Sequence, residues 1–220
     1  MRIGPEQPRH SYALLFALLV VTVGFAIGSS ETALERVVLV TLLSAALVLA
    51  AWTSGAPRRV QRLALVIAAL ALLGGIALAL SGNGGVGEMS LLGSLVVLLT
   101  PAVMARGLIR TLREQGVTPQ VVFGAMALYL MLGIFFASVY GVVAKYGDTS
   151  LFAPPNGDGT VTDHYYFAFT TQTTVGYGDF SPLNDTARAA AMLQALAGQL
   201  YLVTVLALLV GNLGRGPRRA

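Results

Sequence analysis

Residues 171–179 read Thr171-Gln-Thr-Thr-Val-Gly-Tyr-Gly-Asp179, or TQTTVGYGD. Within it Gly176 and Gly178 alternate with Val175 and Tyr177. Glycine takes positive φ without steric cost, so this loop is free to leave strand geometry. The segment before it, 165–173, is apolar and aromatic but too short to cross a hydrocarbon core about 30 Å thick. On either side stand long apolar stretches, 121–144 and 187–213, each long enough to cross. The glycine loop therefore lies at membrane depth. Non-helical backbone is tolerated there only where it is buried in protein or lines a water-filled path. One chain alone does not provide that surrounding, so the loop predicts an oligomer built around an axis.

Composition agrees with a membrane location. The chain has 220 residues, of which 55% are hydrophobic and 11% charged, whereas about a quarter are charged in a soluble domain. Cysteine is absent, which excludes disulfides, thiolate metal sites and cysteine nucleophiles. The two histidines, His10 and His164, are far apart, so a histidine metal cluster within one subunit is not expected. Six apolar spans are predicted, at 12–28, 37–53, 63–80, 89–105, 121–144 and 187–213. The first is read as a retained anchor, since no small-residue cleavage site clearly follows it.

Charge orients these spans. Eleven of the fourteen basic residues fall on one side: Arg2, Arg9, Arg58, Arg59, Arg62, Arg106, Arg110, Arg113, Arg215, Arg218 and Arg219. Only Arg36, Lys145 and Arg188 fall on the other. The positive-inside rule then places both termini in the cytoplasm. It also assigns the basic residues to membrane anchoring rather than to nucleic acid. Eight of the ten acidic residues face outward, namely Glu31, Glu35, Glu88, Asp148, Asp158, Asp163, Asp179 and Asp185. An acidic mouth raises the local cation concentration, although acids that merely avoid the cytoplasmic anchors give the same pattern.

The core Thr174-Val175-Gly176-Tyr177-Gly178 resembles the selectivity filter of potassium channels, and the likeness extends over about 121–213. The resemblance implies an all-α membrane protein, with six transmembrane helices plus a re-entrant pore helix and filter loop, assembled as a homotetramer. Four filter loops would present rings of backbone carbonyls that replace the hydration shell of a potassium ion. K+ would be held at Thr174, Val175, Gly176 and Tyr177, with Gly178 completing the filter and the Thr174 hydroxyl adding an inner ring of oxygens. Tyr177 would point away from the ion path and brace the loop. Residues 163–173 look like the family's pore helix, with Asp163 as its N-cap and Thr173 beside the filter as support. Asp179 follows the filter as in the family, where it commonly bonds a pore-helix aromatic; Tyr166 is the candidate here. Tyr165, Tyr166 and Phe167 also fit interfacial packing, and that reading is preferred for Tyr165. The pattern departs at Thr170, where many family members carry glutamate. Gly198 matches the family's gating-hinge glycine, yet a helical glycine equally marks close packing in membranes. By family spacing Gln199, Leu202 and Leu206 would face the cavity below the filter. K+ is the permeant ion, and no cofactor is implied.

The chain divides into a cytoplasmic N-terminus 1–11, a four-helix domain 12–105, a cytoplasmic linker 106–120, a pore domain 121–213 and a cytoplasmic tail 214–220. The short ends leave no room for a cytosolic nucleotide- or calcium-binding domain. The four-plus-two layout resembles the voltage-gated cation channel superfamily, but span 89–105 carries no basic residue. One charge moved through the field contributes only about 2.3 kcal/mol per 100 mV, so steep voltage gating is not expected. Arg106, Arg110 and Arg113 read as a short interfacial helix between spans four and five, or as a minimal displaced sensor. Pro101 is a candidate kink. The functional reading is passive potassium-selective conduction across a plasma membrane of prokaryotic type. The alternatives are a weakly selective cation channel, or a non-conducting scaffold or transporter subunit. No HExxH or GxSxG string or intramembrane acid pair suggests an enzyme.

Overall fold

The computed structural model describes residues 12–28, 32–81 and 86–212. The expectations for 1–11, Glu31, His10 and 214–220 lie outside the described residues. Seven helices are described: α1 Tyr12–Gly28, α2 Ala33–Thr53, α3 Arg58–Ser81, α4 Val86–Gln115, α5 Pro119–Tyr146, α6 Val161–Gln172 and α7 Asp185–Asn212. No strand occurs among the described residues, only one isolated antiparallel bridge between Phe152 and Pro182. The protein is therefore all-helical.

Among the described residues, four helices are long and apolar enough to cross a membrane by themselves: Ala33–Thr53, Arg58–Leu80, Pro119–Tyr146 and Asp185–Leu209. α1 is apolar but has 17 residues, about 25 Å at 1.5 Å per residue. α4 covers the expected span 89–105, with the side chains of 86–95 outside the described residues.

Local signals account for the helix ends. Thr32 caps α2 in a reciprocal box. Its hydroxyl accepts from the Glu35 amide at 3.3 Å, while the Thr32 amide donates to Glu35 Oε2 at 2.9 Å. Thr118 caps α5, and Pro119 fills its first position, where a missing amide costs nothing. α4 ends at Gly116, which adopts φ 72.

Arg106, Arg110 and Arg113 lie on α4 itself rather than on a separate short helix. That helix runs unbroken through Pro101 and the three arginines to Gln115. Between Pro101 and Gly116 only Gly107 disfavours a helix, at a cost of about 1 kcal/mol, and the other residues of 102–115 are mostly good helix formers. The exposed Arg110 pairs with Glu114 at 2.8 Å along the same helix. Leu112 packs with Leu108, Val121 and Ala125, so this turn leans on α5.

The helices pack as one cluster. α2 lies against α3, α4 and α1, and α1 in turn lies on α5 and α6. α1 buries Tyr12, Leu15, Leu19, Thr22 and Ala26 along one stripe, the period of a helix face. Two hydrogen bonds fasten that stripe to the second half of the chain. The Tyr12 amide donates to Gln120 Oε1 at 3.0 Å, and Thr162 Oγ1 donates to the Ala26 carbonyl at 3.1 Å.

α4 approaches the turn after α2 at Gly107. A Cβ there would overlap the Ser54 side chain and stand 2.6 Å from Ser54 Cα and 2.9 Å from its carbonyl oxygen. Backbone does not yield as a side-chain tip does. Gly107→Ala is therefore expected to destabilise the fold by roughly 1–3 kcal/mol, read as a lower midpoint of thermal unfolding in detergent.

Candidate functional site

The glycine loop hangs from the carboxyl end of α6. That helix is capped by Thr160, not by Asp163. The Thr160 hydroxyl accepts from the Asp163 amide at 3.2 Å, and Asp163 Oδ2 takes the Thr160 amide at 2.8 Å. Asp163 is thus the third helical residue of a capping box. Both residues carry the pattern, and the reciprocal pair satisfies two orphan amides where Asp163 alone would satisfy one.

At the other end, Thr173 closes the helix in right-handed geometry. The chain then adopts positive φ at alternate residues: 60° at Thr174, 50° at Gly176 and 84° at Gly178. Val175 and Tyr177 lie between them with negative φ. Alternating handedness turns successive amides toward one side, and hence the carbonyls toward the other. The amides of Val175 and Gly176 both reach the Thr170 carbonyl, at 2.9 and 3.2 Å. The Thr174 amide reaches the Thr171 carbonyl at 3.1 Å. The N–H edge therefore faces α6, and the opposite edge of the loop is open. Within one chain Val175 is 51% exposed and Tyr177 72%.

Thr170 thus holds the loop by its backbone. Its hydroxyl bonds back to the carbonyls of Tyr166 and Phe167. Thr173 Oγ1 donates to Phe169 O at 2.7 Å, and Thr174 Oγ1 to Thr173 O at 2.7 Å.

Behind the loop stands an aromatic wall. The Tyr177 ring stacks on Tyr166, with centroids 6.2 Å apart and planes 8° from parallel. Tyr166 Oη donates to Asp179 Oδ2 at 2.8 Å, and Asp179 Oδ1 accepts from the Phe180 amide at 3.1 Å. Asn156 Nδ2 donates to the Asp179 carbonyl at 2.6 Å. Phe180 meets Tyr166 and Phe152 edge-on, and Phe152 is fully buried. The segment between α5 and α6 is pinned to the chain after the loop by two backbone bonds, Ala153 N to Ser181 O and Leu183 N to Leu151 O. Tyr165 is buried in the core cluster.

The hydrogen bond to the Asp179 carboxylate pushes the Tyr166 phenol up to about 12, from an ordinary 10.0. A raised folded pKa means a contribution fully present below the ordinary value and lost as pH rises through the raised one. The Tyr166–Asp179 clamp is therefore expected to hold below pH 10 and to weaken as pH rises toward about 12. Its check is a phenol absorbance titration of the unsubstituted protein against Tyr166→Phe, in which the tyrosinate lost with Tyr166 forms near pH 12 rather than near 10.

A second polar cluster sits on the inner side of α6 and was not anticipated from the sequence. Gln172 and Gln194 are both fully buried. Gln194 Nε2 donates to the Ala168 carbonyl at 2.8 Å and to Gln172 Oε1 at 3.4 Å. Tyr140 Oη donates to Gln194 Oε1 at 2.7 Å. Gln172 Nε2 donates to the Tyr129 carbonyl at 2.8 Å, and Tyr129 Oη to the Gln172 carbonyl at 3.4 Å. The available signal was polar side chains within otherwise apolar spans, which in membranes bond across helices.

The remaining expected residues lie along α7. Gly198 packs against Gln172, where an added Cβ would come within 2.9 Å of both its Cγ and its carbonyl oxygen. Gln199 and Leu202 are exposed in the single chain. The side chain of Leu206 lies outside the described residues. Several of the acids expected to face outward serve local structure: Glu35 and Asp163 close capping boxes, Asp158 Oδ1 accepts from the Leu151 amide, and Asp185 stands 3.6 Å from Arg188. The Glu88 side chain lies outside the described residues. No group of three or more His, Asp or Glu suited to a metal occurs among the described residues.

Residues 127–214 match the family described as "Ion channel". The human "Potassium voltage-gated channel subfamily A member 6" is 32% identical over 91 residues, which cover 40% of this chain and 16% of that protein. The "Inward rectifier potassium channel Kirbac3.1" of Paramagnetospirillum magnetotacticum is 33% identical over 88 residues, 40% of this chain and 28% of that protein. The chain thus spans less than a third of either relative. No solved structure matches significantly. The resemblance to the potassium channel family read from 171–179 is borne out over the segment that runs through α5, α6 and α7. These likenesses point to a channel rather than an enzyme.

Proposed function

We propose that this chain is one subunit of a homotetrameric, potassium-selective channel that conducts K+ passively across the plasma membrane. The observation that carries the reading is the alternation of positive φ at Thr174, Gly176 and Gly178, with the amides of Val175 and Gly176 tied back to the Thr170 carbonyl. One edge of the loop is then left for carbonyls. Four such edges around an axis would replace the hydration shell of a dehydrated cation. Thr174, Val175, Gly176 and Tyr177 would supply the ion-binding oxygens. The carboxyl end of α6 points its negative dipole end below them, which favours a cation there.

In this reading six spans surround the pore, α1 and α4 among them, and both termini are cytoplasmic. Span 89–105 lacks basic residues, so gating is not steeply voltage-dependent. Gln199, Leu202 and Leu206 face the inner cavity once four chains assemble.

The test is ion flux from liposomes holding the purified protein, with potassium and sodium gradients compared. Potassium flux that barium blocks and Gly178→Asp abolishes is the expected result. Equal sodium flux would establish the weakly selective alternative. Absence of flux, together with a lack of fourfold convergence of the loops in an experimental structure, would leave the non-conducting scaffold.

A further inference from the structure

We infer that Gln194 and Gln172 are positioning residues that fix the inner end of the glycine loop and join it mechanically to α7. The inference rests on the channel reading for its functional meaning, and on geometry for the link itself.

The carboxyl end of a helix leaves its last carbonyls without helical partners. In α6 each of these is claimed. Phe169 O takes the amide and the hydroxyl of Thr173. Thr171 O takes the Thr174 amide, and Thr170 O takes the amides of Val175 and Gly176. The loop is thus suspended from three consecutive carbonyls, and its geometry follows the position of this one helical turn. The same turn is held from behind by two side chains. Gln194 of α7 bonds Ala168 O, and Tyr129 of α5 bonds Gln172 O. Tyr140 of α5 fixes the Gln194 amide by donating to its oxygen at 2.7 Å. Gln172, Gln194 and Tyr140 are fully buried, and a buried amide has no water to turn to; Tyr129 is half-buried.

Gly198 adds the second half of the argument. It lies one helical turn beyond Gln194 on the same face, with Gln172 against its Cα. A displacement of α7 at this level moves the Gln194 amide and the Gly198 contact together. Both press on the turn that carries the loop. The resembling family's glutamate position is occupied here by Thr170, whose hydroxyl is spent within its own helix. The side-chain support of α6 comes instead from this inner cluster and from the Tyr166–Asp179 pair.

The test uses the full-length protein in liposomes and the variant Tyr140→Phe/Gln194→Leu. Both partners of the Tyr140–Gln194 bond are removed together, so neither is orphaned; Gln172 Oε1 loses only a long 3.4 Å partner, and assembly is expected to persist. The expected results are at least tenfold faster hydrogen exchange at the amides of Val175 and Gly176, and at least a tenfold fall in the potassium-to-sodium flux ratio. Unchanged exchange at those amides overturns the inference, whether or not the protein conducts. Faster exchange with an unchanged flux ratio overturns its bearing on conduction. Absence of potassium flux from the unsubstituted protein refutes the channel reading separately, and the exchange comparison still judges the link. Should the double variant fail to assemble, Tyr140→Phe alone releases Gln194 Oε1 and is expected to speed exchange about threefold; no change there overturns the inference equally.

Discussion

Gly178→Ala is expected to abolish potassium flux while leaving the subunit folded and its thermal midpoint nearly unchanged. The cause is backbone geometry rather than crowding. Nothing lies within 4 Å of where the new Cβ would stand in the subunit, but φ at this residue is 84°. The left-handed well open to an L-residue spans only about +50 to +70°. Gly176 at φ 50 lies at its edge, and Thr174 at φ 60 lies inside it. Alanine at 178 must therefore rotate out of place, whereas alanine at 176 meets a cost of about 1–2 kcal/mol. The effects should rank accordingly, with Gly178→Ala more severe than Gly176→Ala. Flux and thermal unfolding measured on the same preparations check this. A Gly178→Ala protein that conducts normally would show that the observed loop angles are not those of the conducting state.

Gly198→Val is the second large effect, and it acts on stability. The branched side chain would be forced into Gln172, whose carbonyl oxygen is only 2.9 Å from the Cβ position. Overpacking of this kind costs typically about 1–3 kcal/mol and occasionally more, which for a chain of this size lowers the unfolding midpoint by roughly 2–12 °C. Gly198→Ala then separates the two readings of this glycine by sign. As an unencumbered hinge it would gain about 0.5–1 kcal/mol from replacing glycine in a helix interior. As a packing contact it loses more than that. The structure places Gly198 in contact, so a lowered midpoint for Gly198→Ala is expected. A raised midpoint would restore the hinge.

How much of this was legible in the residues depends on what each signal encodes. The loop at 174–178 was legible because glycine reports backbone freedom directly. Thr174 was not: a β-branched residue argues against positive φ, and only its anchoring to Thr171 and Thr173 holds it there. The α6 cap was misplaced by three residues because Thr160 and Asp163 are both capping residues, and only coordinates show that they act as a pair. The unbroken α4 was readable in principle from the missing stop before Gly116. The arginine spacing at 106, 110 and 113 competes with that signal, although charges at the end of a helix do not end the helix. The glutamine cluster was hidden for a different reason. Sequence tells that Gln172 and Gln194 are polar within apolar surroundings, but not that both point inward, toward the same helical turn. Gln199, one residue past Gly198, is equally polar and is exposed.

The open edge of the loop has a genetic consequence. A subunit that exposes half of Val175 and most of Tyr177 carries only one quarter of the coordination shell in the proposed fourfold ring. A damaged copy is then not merely inactive, because it spoils the three sound copies it joins. With equal amounts of intact and Gly178→Asp chains mixing at random, roughly one tetramer in sixteen is free of the defect. Co-expression at that ratio should silence the great majority of the conductance, so loss-of-function alleles at these positions behave as dominant.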